Sequence, residues 1–355
     1  MGEFWNGKRV LITGHTGFKG SWLTLWLTKL GAEVCGYSLA PDAVPNLFED
    51  IKIEGEIRSV IEDIRDLTAF SATIGSFQPE IVIHLAAQSL VMRSYRDPVE
   101  TYSTNLMGTV NVLEAVRKVD SVRSVVVVTT DKVYENGGRG VAFREDEKLG
   151  GFDPYSSSKA CAELAVASYR NSFFADSETL IATTRAGNVI GGGDWCETRL
   201  FPDIFRSLIF GEKLVIRNPS SIRPWQHVLD PLAGYLLLAE RLYGGERGLA
   251  ASWNFGPSEN DAKPVRWILN ELKSIWNGPV SWEIAYGKPL HEEPVLKLDS
   301  GKARNELVWT PKLELSDAIR MTVEWYRVFN DKGDLRAITS GQIDRYENGN
   351  AHRTA

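Results

Sequence analysis

Tyr155 and Lys159 stand four residues apart in a stretch that has the signature of a helix start. Asp153 and Pro154 come just before, and they are residue types favoured as the N-cap and the first helical position. On such a helix Tyr155 and Lys159 share one face. A phenol with a pKa of about 10 is a weak base at neutral pH, and a neighbouring ammonium favours its ionised form. The pair predicts a tyrosine that removes a hydroxyl proton while hydride leaves the same carbon.

A glycine-rich turn lies far upstream, between an apolar run and a helical pattern, with glycines at Gly14, Gly17 and Gly20. Glycine lets the backbone turn tightly and approach a pyrophosphate, and the following helix N-terminus offers free N–H groups. A tight turn without a ligand is the alternative, but the position after the first strand favours a dinucleotide site. The other cofactor contacts predicted in this turn are Thr16, Phe18 and Lys19.

Further cofactor contacts are expected where later strands end, because parallel strands place their carboxyl ends at one edge. Asp63 could accept a hydrogen bond from the adenine, and Lys159 could bond the nicotinamide ribose. The remaining contacts predicted at this edge are Ile64, Leu85, Ala86, Ala87, Thr129 and, at the end of the second strand, Ser38. An acidic residue is usual at the position of Ser38 in NAD enzymes. Here the acidic residue is absent, and no Arg takes its place to hold a 2′-phosphate. We favour NAD, with NADP left open.

The elements that must position these residues alternate regularly along the first half of the chain. Apolar β-branched runs occupy 9–13, 33–38, 81–85, 125–129 and 179–185, and helical patterns occupy 66–77, 99–118 and 154–171. Continuous apolar strands are typical of a parallel sheet covered on both faces. The pattern predicts an α/β fold with a doubly wound parallel Rossmann sheet.

The regular alternation of strand and helix patterns ends near residue 190. We expect a dinucleotide-binding domain of residues 1–190, joined by roughly 224–250, and a smaller α/β C-terminal substrate lobe of roughly 190–222 and 255–330. The last segment, 331–355, is predicted to be a poorly ordered tail.

Composition excludes several classes of protein. The 355 residues carry a formal charge of −6, whereas a nucleic-acid-binding surface needs a basic patch. No apolar run is long enough for a membrane span, and no basic-then-apolar leader precedes the first strand, so we expect a cytoplasmic protein. Three distant cysteines and five scattered histidines have no metal-ligand spacing, so no metal site is predicted.

Taken together, the glycine turn, Tyr155 with Lys159, and Asp63 resemble the extended short-chain dehydrogenases/reductases that act on nucleotide sugars. The pair Asp131-Lys132 narrows the resemblance to the 4,6-dehydratases, because epimerases lack an acid–base pair there. Most dehydratases have Asp-Glu, and Asp-Lys is similar to the branch that acts on CDP-glucose. The stretches 185–195, 222–228 and 253–257 resemble the same branch.

The resemblance implies a lyase that oxidises the sugar at C4, eliminates water across C5 and C6, and returns hydride to C6. Tyr155 would take the 4-hydroxyl proton, Thr130 would hold the 4-oxygen, and Asp131 would protonate the departing 6-hydroxyl. Lys132 stands where a related Glu removes the C5 proton, so both a base and an electrostatic stabiliser remain open for it.

Residues that would hold the nucleotide sugar come from the matching stretches: Gln88, Asn188, Arg199 and Arg223. Arg185 is given a structural or sugar-facing role. The alternatives are a nucleotide-sugar 4-epimerase, a dehydratase for another nucleotide, and a non-catalytic dinucleotide sensor. The last would be expected to lose Tyr155 or Lys159.

The resemblance also implies a homodimer built from helices near 99–118 and 154–171. Leu106, Val110, Leu113 and Leu164 are apolar residues consistent with that interface, and equally with packing on the sheet.

Overall fold

The computed structural model describes residues 2–138, 140–276, 278, 280–285 and 293–349. Its centre is a seven-stranded parallel sheet with the strand order β10-β6-β5-β4-β1-β2-β3. The strands, in chain order, are β1 Arg9–Thr13, β2 Glu33–Ser38, β3 Arg58–Ile61, β4 Ile81–His84, β5 Ser124–Val128, β6 Leu180–Ala186, β7 Asn188–Ile190, β8 Val215–Ile216, β9 Ile222–His227, β10 Ser252–Phe255, β11 Ala262–Pro264 and β12 Glu283–Ile284. The predicted doubly wound Rossmann sheet is confirmed.

Helices cover both faces of this sheet. They are α1 Gly2–Trp5, α2 Phe18–Lys29, α3 Leu47–Asp50, α4 Leu67–Phe77, α5 Val91–Arg96, α6 Pro98–Tyr102, α7 Gly108–Val116, α8 Pro154–Phe173, α9 Leu200–Phe210, α10 Leu229–Tyr243, α11 Val265–Trp276, α12 Gly301–Glu306, α13 Leu315–Asn330 and α14 Leu335–Glu347. Short 3-10 turns lie at Glu54–Glu56, Asp131–Val133, Arg247–Leu249 and Glu259–Asp261, and one π-helical segment lies at Ser103–Met107.

The central strands are apolar on both faces because each face meets a helical layer. In β1, Leu11 packs in the core shared with α4, α7 and α8. Val10 and Ile12 point the other way, into the core that contains α2 and α10. All five residues of β5 are buried. Burial on both faces removes the polar alternation that a half-exposed strand would show, which is why the sequence reads as continuous apolar runs.

The second half of the chain builds two smaller sheets beside the carboxyl edge of the large one. One has the order β11-β9-β7 and the other pairs β12 with β8. The last strand of the large sheet, β10, pairs in parallel with β6, with Ser252 opposite Thr183. This strand lies just beyond the segment 224–250 that we expected to return to the first domain.

The C-terminal segment is ordered as far as it is described, so the prediction of a poorly ordered tail from 331 is wrong for α14. Asp334 caps this helix by accepting a hydrogen bond from the backbone of Ala337 at 2.9 Å. Tyr346 is 1% exposed and donates to Asp230 at 2.9 Å. Polar residues that bond inward, including Thr339 and Gln342, concealed the buried face in the sequence. Residues 350–355 of the predicted tail lie outside the described part of the chain.

In the part of the chain that the structure describes, helices of sufficient length and apolarity for a bilayer crossing do not occur.

Candidate active site

A cleft of about 970 Å³ opens at the carboxyl edge of the large sheet, between it and the smaller sheets. Ligands bind at this edge in doubly wound folds, because strand ends and helix N-termini converge there. The predicted site residues that line the cleft are Gly14, Thr16, Gly17, Phe18, Lys19, Gly20, Ser38, Asp63, Ile64, Leu85, Ala86, Ala87, Gln88, Thr129, Thr130, Lys132, Tyr155, Lys159, Asn188, Arg199 and Arg223. Asp131 lies just beneath the surface, at 1% exposure.

The glycine turn fits a pyrophosphate. Gly14 has a φ of +79°, and a Cβ there would lie 2.7 Å from the backbone nitrogen of Ala86. A Cβ at Gly20 would lie 2.0 Å from the carbonyl oxygen of Gly14. The N-cap of α2 is Gly17, so no side chain occupies the helix N-terminus. Glycine is therefore required at Gly14 and Gly20 for the turn to pack closely on the backbone, and the uncapped N-terminus of α2 is left to face a phosphate.

The adenosine end of the predicted cofactor site departs from the usual pattern. The Ser38 hydroxyl lies 2.9 Å from that of Thr16, which donates to the carbonyl of Leu39. The carboxylate of Asp63 accepts from the Arg65 side chain and backbone at 2.9 Å. The Arg65 hydrogen bonds therefore lower the pKa of Asp63 against the effect of its burial. Asp63 therefore lines the cleft as an ionised carboxylate that already accepts hydrogen bonds from Arg65.

Helix α8 places the tyrosine and lysine as the spacing predicts. Asp153 caps the helix by accepting from the Ser156 backbone at 2.9 Å, and Pro154 is its first residue. The Lys159 ammonium donates to the carbonyl of Val128, the last residue of β5, at 3.1 Å. Burial lowers the pKa of Lys159 to about 8, while the Glu163 carboxylate favours the ammonium. Lys159 thus fixes α8 against the carboxyl end of β5.

Tyr155 is 8% exposed, and burial raises its pKa to about 12. A hydrogen bond with Thr130 and the positive charge of Arg199 act in the opposite direction. Thr130 and Arg199 therefore favour the ionised phenol, and the same role for Lys159, one helical turn away on α8, stays a prediction.

The segment after β5 forms a 3-10 turn, Asp131–Val133, that is capped by Thr130. The Thr130 hydroxyl donates to Asp131 Oδ1 at 3.1 Å, and the Lys132 ammonium lies 3.3 Å from the same oxygen. Asp131 Oδ2 is buried and has no hydrogen-bond partner among the described residues. A buried carboxylate oxygen without a partner is costly, so it is poised to meet a substrate group.

The residues predicted to hold the substrate have different surroundings. Arg199 bonds Asp194 at 3.1 Å and reaches the Ser89 hydroxyl at 2.8 Å, which joins the two sides of the cleft. The Asn188 oxygen is buried without a partner among the described residues. Arg223 donates to the carbonyl of its neighbour Ile222 at 2.9 Å.

Gln88 lines the cleft, but its side chain is engaged within the protein. Its amide nitrogen donates to Leu90 O and to the Thr101 hydroxyl, and its oxygen accepts from Leu90 N at 2.6 Å. Asn105, in the π segment, bonds both backbone groups of Gln88 and reaches the Ser158 hydroxyl at 2.9 Å. Gln88 and Asn105 therefore shape the cofactor-facing loop instead of presenting free groups.

Sequence reasoning missed one charged group at this site, Glu163, and did not predict the surroundings of another, Lys19. Lys19 was predicted only as part of the glycine turn. Burial, followed by the charge of Arg199, lowers its pKa to about 7, while Asp131 acts in the opposite direction. Glu163 was not singled out, although it follows Lys159 by one helical turn and is 4% exposed. The signal for Glu163 was its i, i+4 spacing from a catalytic lysine on the buried face.

A metal centre is not suggested by the described residues, among which no group of three or more His, Cys, Asp or Glu side chains could hold an ion.

The fold and this site define an extended short-chain dehydrogenase/reductase with an added carboxyl group beside its tyrosine. The sequence model described as GDP-mannose 4,6 dehydratase matches residues 11–322, and the chain belongs to that family. The CDP-glucose 4,6-dehydratase of Salmonella typhimurium is 47% identical over 349 residues, covering 97% of both chains.

Solved structures agree with the fold. The UDP-glucose 4-epimerase of Thermotoga maritima, solved with UDP-glucose, has a TM-score of 0.80 at 22% identity and covers 90% of this chain and 99% of its own. The dTDP-glucose 4,6-dehydratase of Streptomyces venezuelae, solved with NAD, has a TM-score of 0.79 at 25% identity and covers 92% of this chain and 99% of its own. The resemblance expected from the motifs is confirmed.

Proposed function

We propose that this chain converts CDP-glucose to CDP-4-keto-6-deoxyglucose with NAD. The observation that carries the proposal is the carboxyl group of Asp131, buried next to Thr130 and within electrostatic reach of Tyr155. Oxidation at C4 needs only a base and a hydride acceptor, so an epimerase has no use for an acid there. Loss of water from C6 does need one. The relative of 47% identity supports CDP as the nucleotide.

Tyr155 is the base for the 4-hydroxyl in this proposal. Burial raises its pKa to about 12, so the proposal requires assistance for proton removal. The Thr130 hydroxyl, which donates to Asp131 Oδ1, would have to turn its one proton from that oxygen to donate to the sugar 4-oxygen. The chemistry that bound NAD supplies is acceptance of hydride from C4 and its return to C6.

Asp131 is the acid for the departing 6-hydroxyl. Thr130 and Lys132 both donate toward Oδ1, which leaves Oδ2 to carry and transfer the proton. Asp131 directly follows Thr130, the residue proposed to bond the sugar 4-oxygen. One turn of the chain can therefore contact both the 4-oxygen and the 6-hydroxyl of the sugar. The C5 proton also needs an acceptor, and we assign this role to Lys132, whose ammonium lies 3.3 Å from Asp131 Oδ1. Transfer of its proton to the Asp131 carboxylate leaves a neutral amine that can take the C5 proton and a carboxyl group that can protonate the departing 6-hydroxyl.

The nucleotide diphosphate is proposed to lie on the smaller sheets, toward Asn188 and Arg223, with Arg199 between it and the phenol. Guanidinium groups bond phosphate oxygens through paired donors. The assignment rests on the presence of Asn188 on β7 and Arg223 on β9 in the cleft lining, in the same small sheet.

The test is a panel of CDP-, dTDP-, UDP- and GDP-linked hexoses incubated with the NAD-loaded enzyme. We expect a 4-keto product that absorbs in base only from CDP-glucose, with one solvent hydrogen at C5. A panel without keto product, or a 4-epimer without loss of water, would contradict the proposal.

A homodimer is also proposed, built on α6, α7 and α8, which pack side by side. Val99 on α6 and Leu164 on α8 are exposed at 78% and 59%, and Met107, the last residue of the π-helical segment before α7, is exposed at 49%. Exposed apolar groups that cluster on neighbouring helices mark an interface. Leu113, one of the residues expected there, is instead buried against the sheet. Leu164→Glu should convert a dimer to a monomer in sedimentation velocity, whereas a wild-type monomer would contradict the proposal.

We place the enzyme in the cytoplasm. Cys35, Cys161 and Cys196 are all free thiols, as is usual in a reducing compartment.

A further inference from the structure

Beneath the catalytic residues lies a buried ion pair, Glu163 with Arg185, whose side chains are 3% and 2% exposed. The guanidinium donates to both carboxylate oxygens, at 3.0 and 2.9 Å. Glu163 lies one turn beyond Lys159 on α8, and Arg185 lies on β6. Separating charges in this position would leave each one desolvated, so the pair is held together strongly.

Two threonine hydroxyls also donate hydrogen bonds to the carboxylate of Glu163. Thr129 donates to Oε1 at 2.5 Å and Thr183 donates to Oε2 at 2.7 Å. Burial alone would raise the pKa of Glu163, but Arg185 and the two hydroxyls outweigh it, so the pKa lies below its ordinary value. The carboxylate is therefore ionised and fully bonded, a fixed point in the interior.

The two threonines differ in what they are attached to. Thr183 lies in the middle of β6, where its backbone bonds Ala251. Thr129 follows the last residue of β5 and directly precedes Thr130 and Asp131. Its backbone N–H donates to the Thr184 carbonyl at 2.8 Å, and its hydroxyl lies 3.2 Å from the same oxygen. The hydrogen bond from Thr129 to Glu163 adds a side-chain contact at the point where the chain leaves the sheet for the catalytic turn.

The guanidinium extends the same network outward. Arg185 donates to the hydroxyl of Tyr134 at 2.8 Å, and Tyr134 donates to the side chain of Asn254 at 2.7 Å. Tyr134 follows the 3-10 turn that contains Asp131 and Lys132. The turn is consequently held on both sides, by Thr129 before it and by Tyr134 after it.

We propose that Glu163 and Arg185, through Thr129, are positioning residues that hold the Thr130–Asp131 turn at a fixed distance from Tyr155 and Lys159 on α8. The inference rests on the dehydratase function for the roles of Thr130 and Asp131. Acid transfer by Asp131 requires its carboxyl group to be placed within a fraction of an ångström, and a loose turn lowers the rate without weakening substrate binding.

The matched pair Thr129→Val and Thr183→Val tests the proposal. Each removes one hydroxyl from the same carboxylate at a buried position and preserves side-chain shape. We expect kcat on CDP-glucose to fall at least about tenfold in T129V and to stay within about twofold in T183V. KM for CDP-glucose should change less than about twofold in both variants, and Thr129→Ser should restore kcat.

A second measurement does not depend on activity. Hydrogen exchange of the NAD-loaded enzyme, followed by mass spectrometry, should increase in the segment 129–135 for T129V and not for T183V. Equal losses of kcat together with equal exchange in the two variants would show a merely structural pair and overturn the proposal. An inactive wild type would count against the proposed function alone, because the exchange comparison would still decide the positioning role. Should the valine variants not fold, Thr129→Ala and Thr183→Ala give the same comparison.

Discussion

The ammonium of Lys159 and the carbonyl of Val128 are joined by a 3.1 Å hydrogen bond, which couples α8 to the carboxyl end of β5. Tyr155 depends on the helix and Thr130 on the strand, so this contact sets the geometry between a proposed base and the group beside it.

Replacing Asp131 with Asn should lower kcat by about 10² to 10³ because the amide cannot donate the acid proton. The near-identical shape of the amide should leave NAD binding unchanged. Product formation and a fluorescence titration of NAD measure the two effects. Asp146→Asn, at an exposed carboxylate, is the control and should retain full activity; retention of activity by D131N would remove Asp131 from the mechanism.

Gly14→Ala should weaken NAD binding at least about tenfold, because the added Cβ would meet the Ala86 backbone in a left-handed conformation. Gly55→Ala is the matched control, since a Cβ at Gly55 meets nothing within 4 Å. Calorimetric titration with NAD gives both values. Equal affinities for the two variants would show that the turn does not hold the pyrophosphate.

His84 makes the stability of the protein fall in acid. Its ring nitrogens lie 2.6 Å from the Thr13 hydroxyl and 3.0 Å from that of Thr109. Burial, followed by the charge of Lys159, lowers its pKa to about 3. Above pH 6.5 the histidine is neutral in both states, so its contribution is fully present. Below pH 6.5 only the unfolded chain takes up the proton, and stability is lost toward pH 3.

The measurement for His84 is the free energy of unfolding of the wild type and of His84→Gln at pH 7 and pH 5. The advantage of the wild type should shrink by about 2 kcal/mol over this interval. A difference that does not vary with pH would show that His84 is accessible to protons in the folded state.

Tyr346→Ala should destabilise the protein by about 3–5 kcal/mol, because it empties a buried aromatic site between α14 and the rest of the core. The Tyr346 ring contacts Trp26 at 5.7 Å, and its hydroxyl bonds Asp230. Asn348→Ala, at an exposed position of the same segment, should change stability by less than about 0.5 kcal/mol. Urea unfolding compares them, and equal midpoints would mean that α14 is not part of the cooperative core.

The sequence predicted the central strands of the large sheet well because they are buried on both faces, and it located the cofactor turn because its glycines have a strict backbone requirement. It did not give a run for the edge strand β3, in which no residue is fully buried. The cap residues Asp153 and Pro154 likewise located the start of α8 at the residue where it occurs. These features depend on residues that are close together in the sequence, so the sequence alone is enough to predict them.

What could not be predicted depends on contacts between distant segments. Residues of α14 form hydrogen bonds with residues of α10 and α13, such as Asp230 and Trp325. The sequence near 335–347 contains no pattern that predicts these contacts. Arg199 was identified as a cation for the substrate, but its 2.8 Å bond to Ser89 joins positions 110 residues apart. The role of Gln88 in its own loop also depends on Asn105, which lies in an irregular π-helical segment.

The central claim, that one sugar is oxidised, dehydrated and reduced at a single site, is tested most directly with CDP-glucose labelled with deuterium at C4. After reaction in ordinary water, the account predicts the deuterium at C6 of a 4-keto-6-deoxy product, with solvent hydrogen at C5. Deuterium found at C4 of an epimerised hexose that keeps its 6-hydroxyl would contradict it.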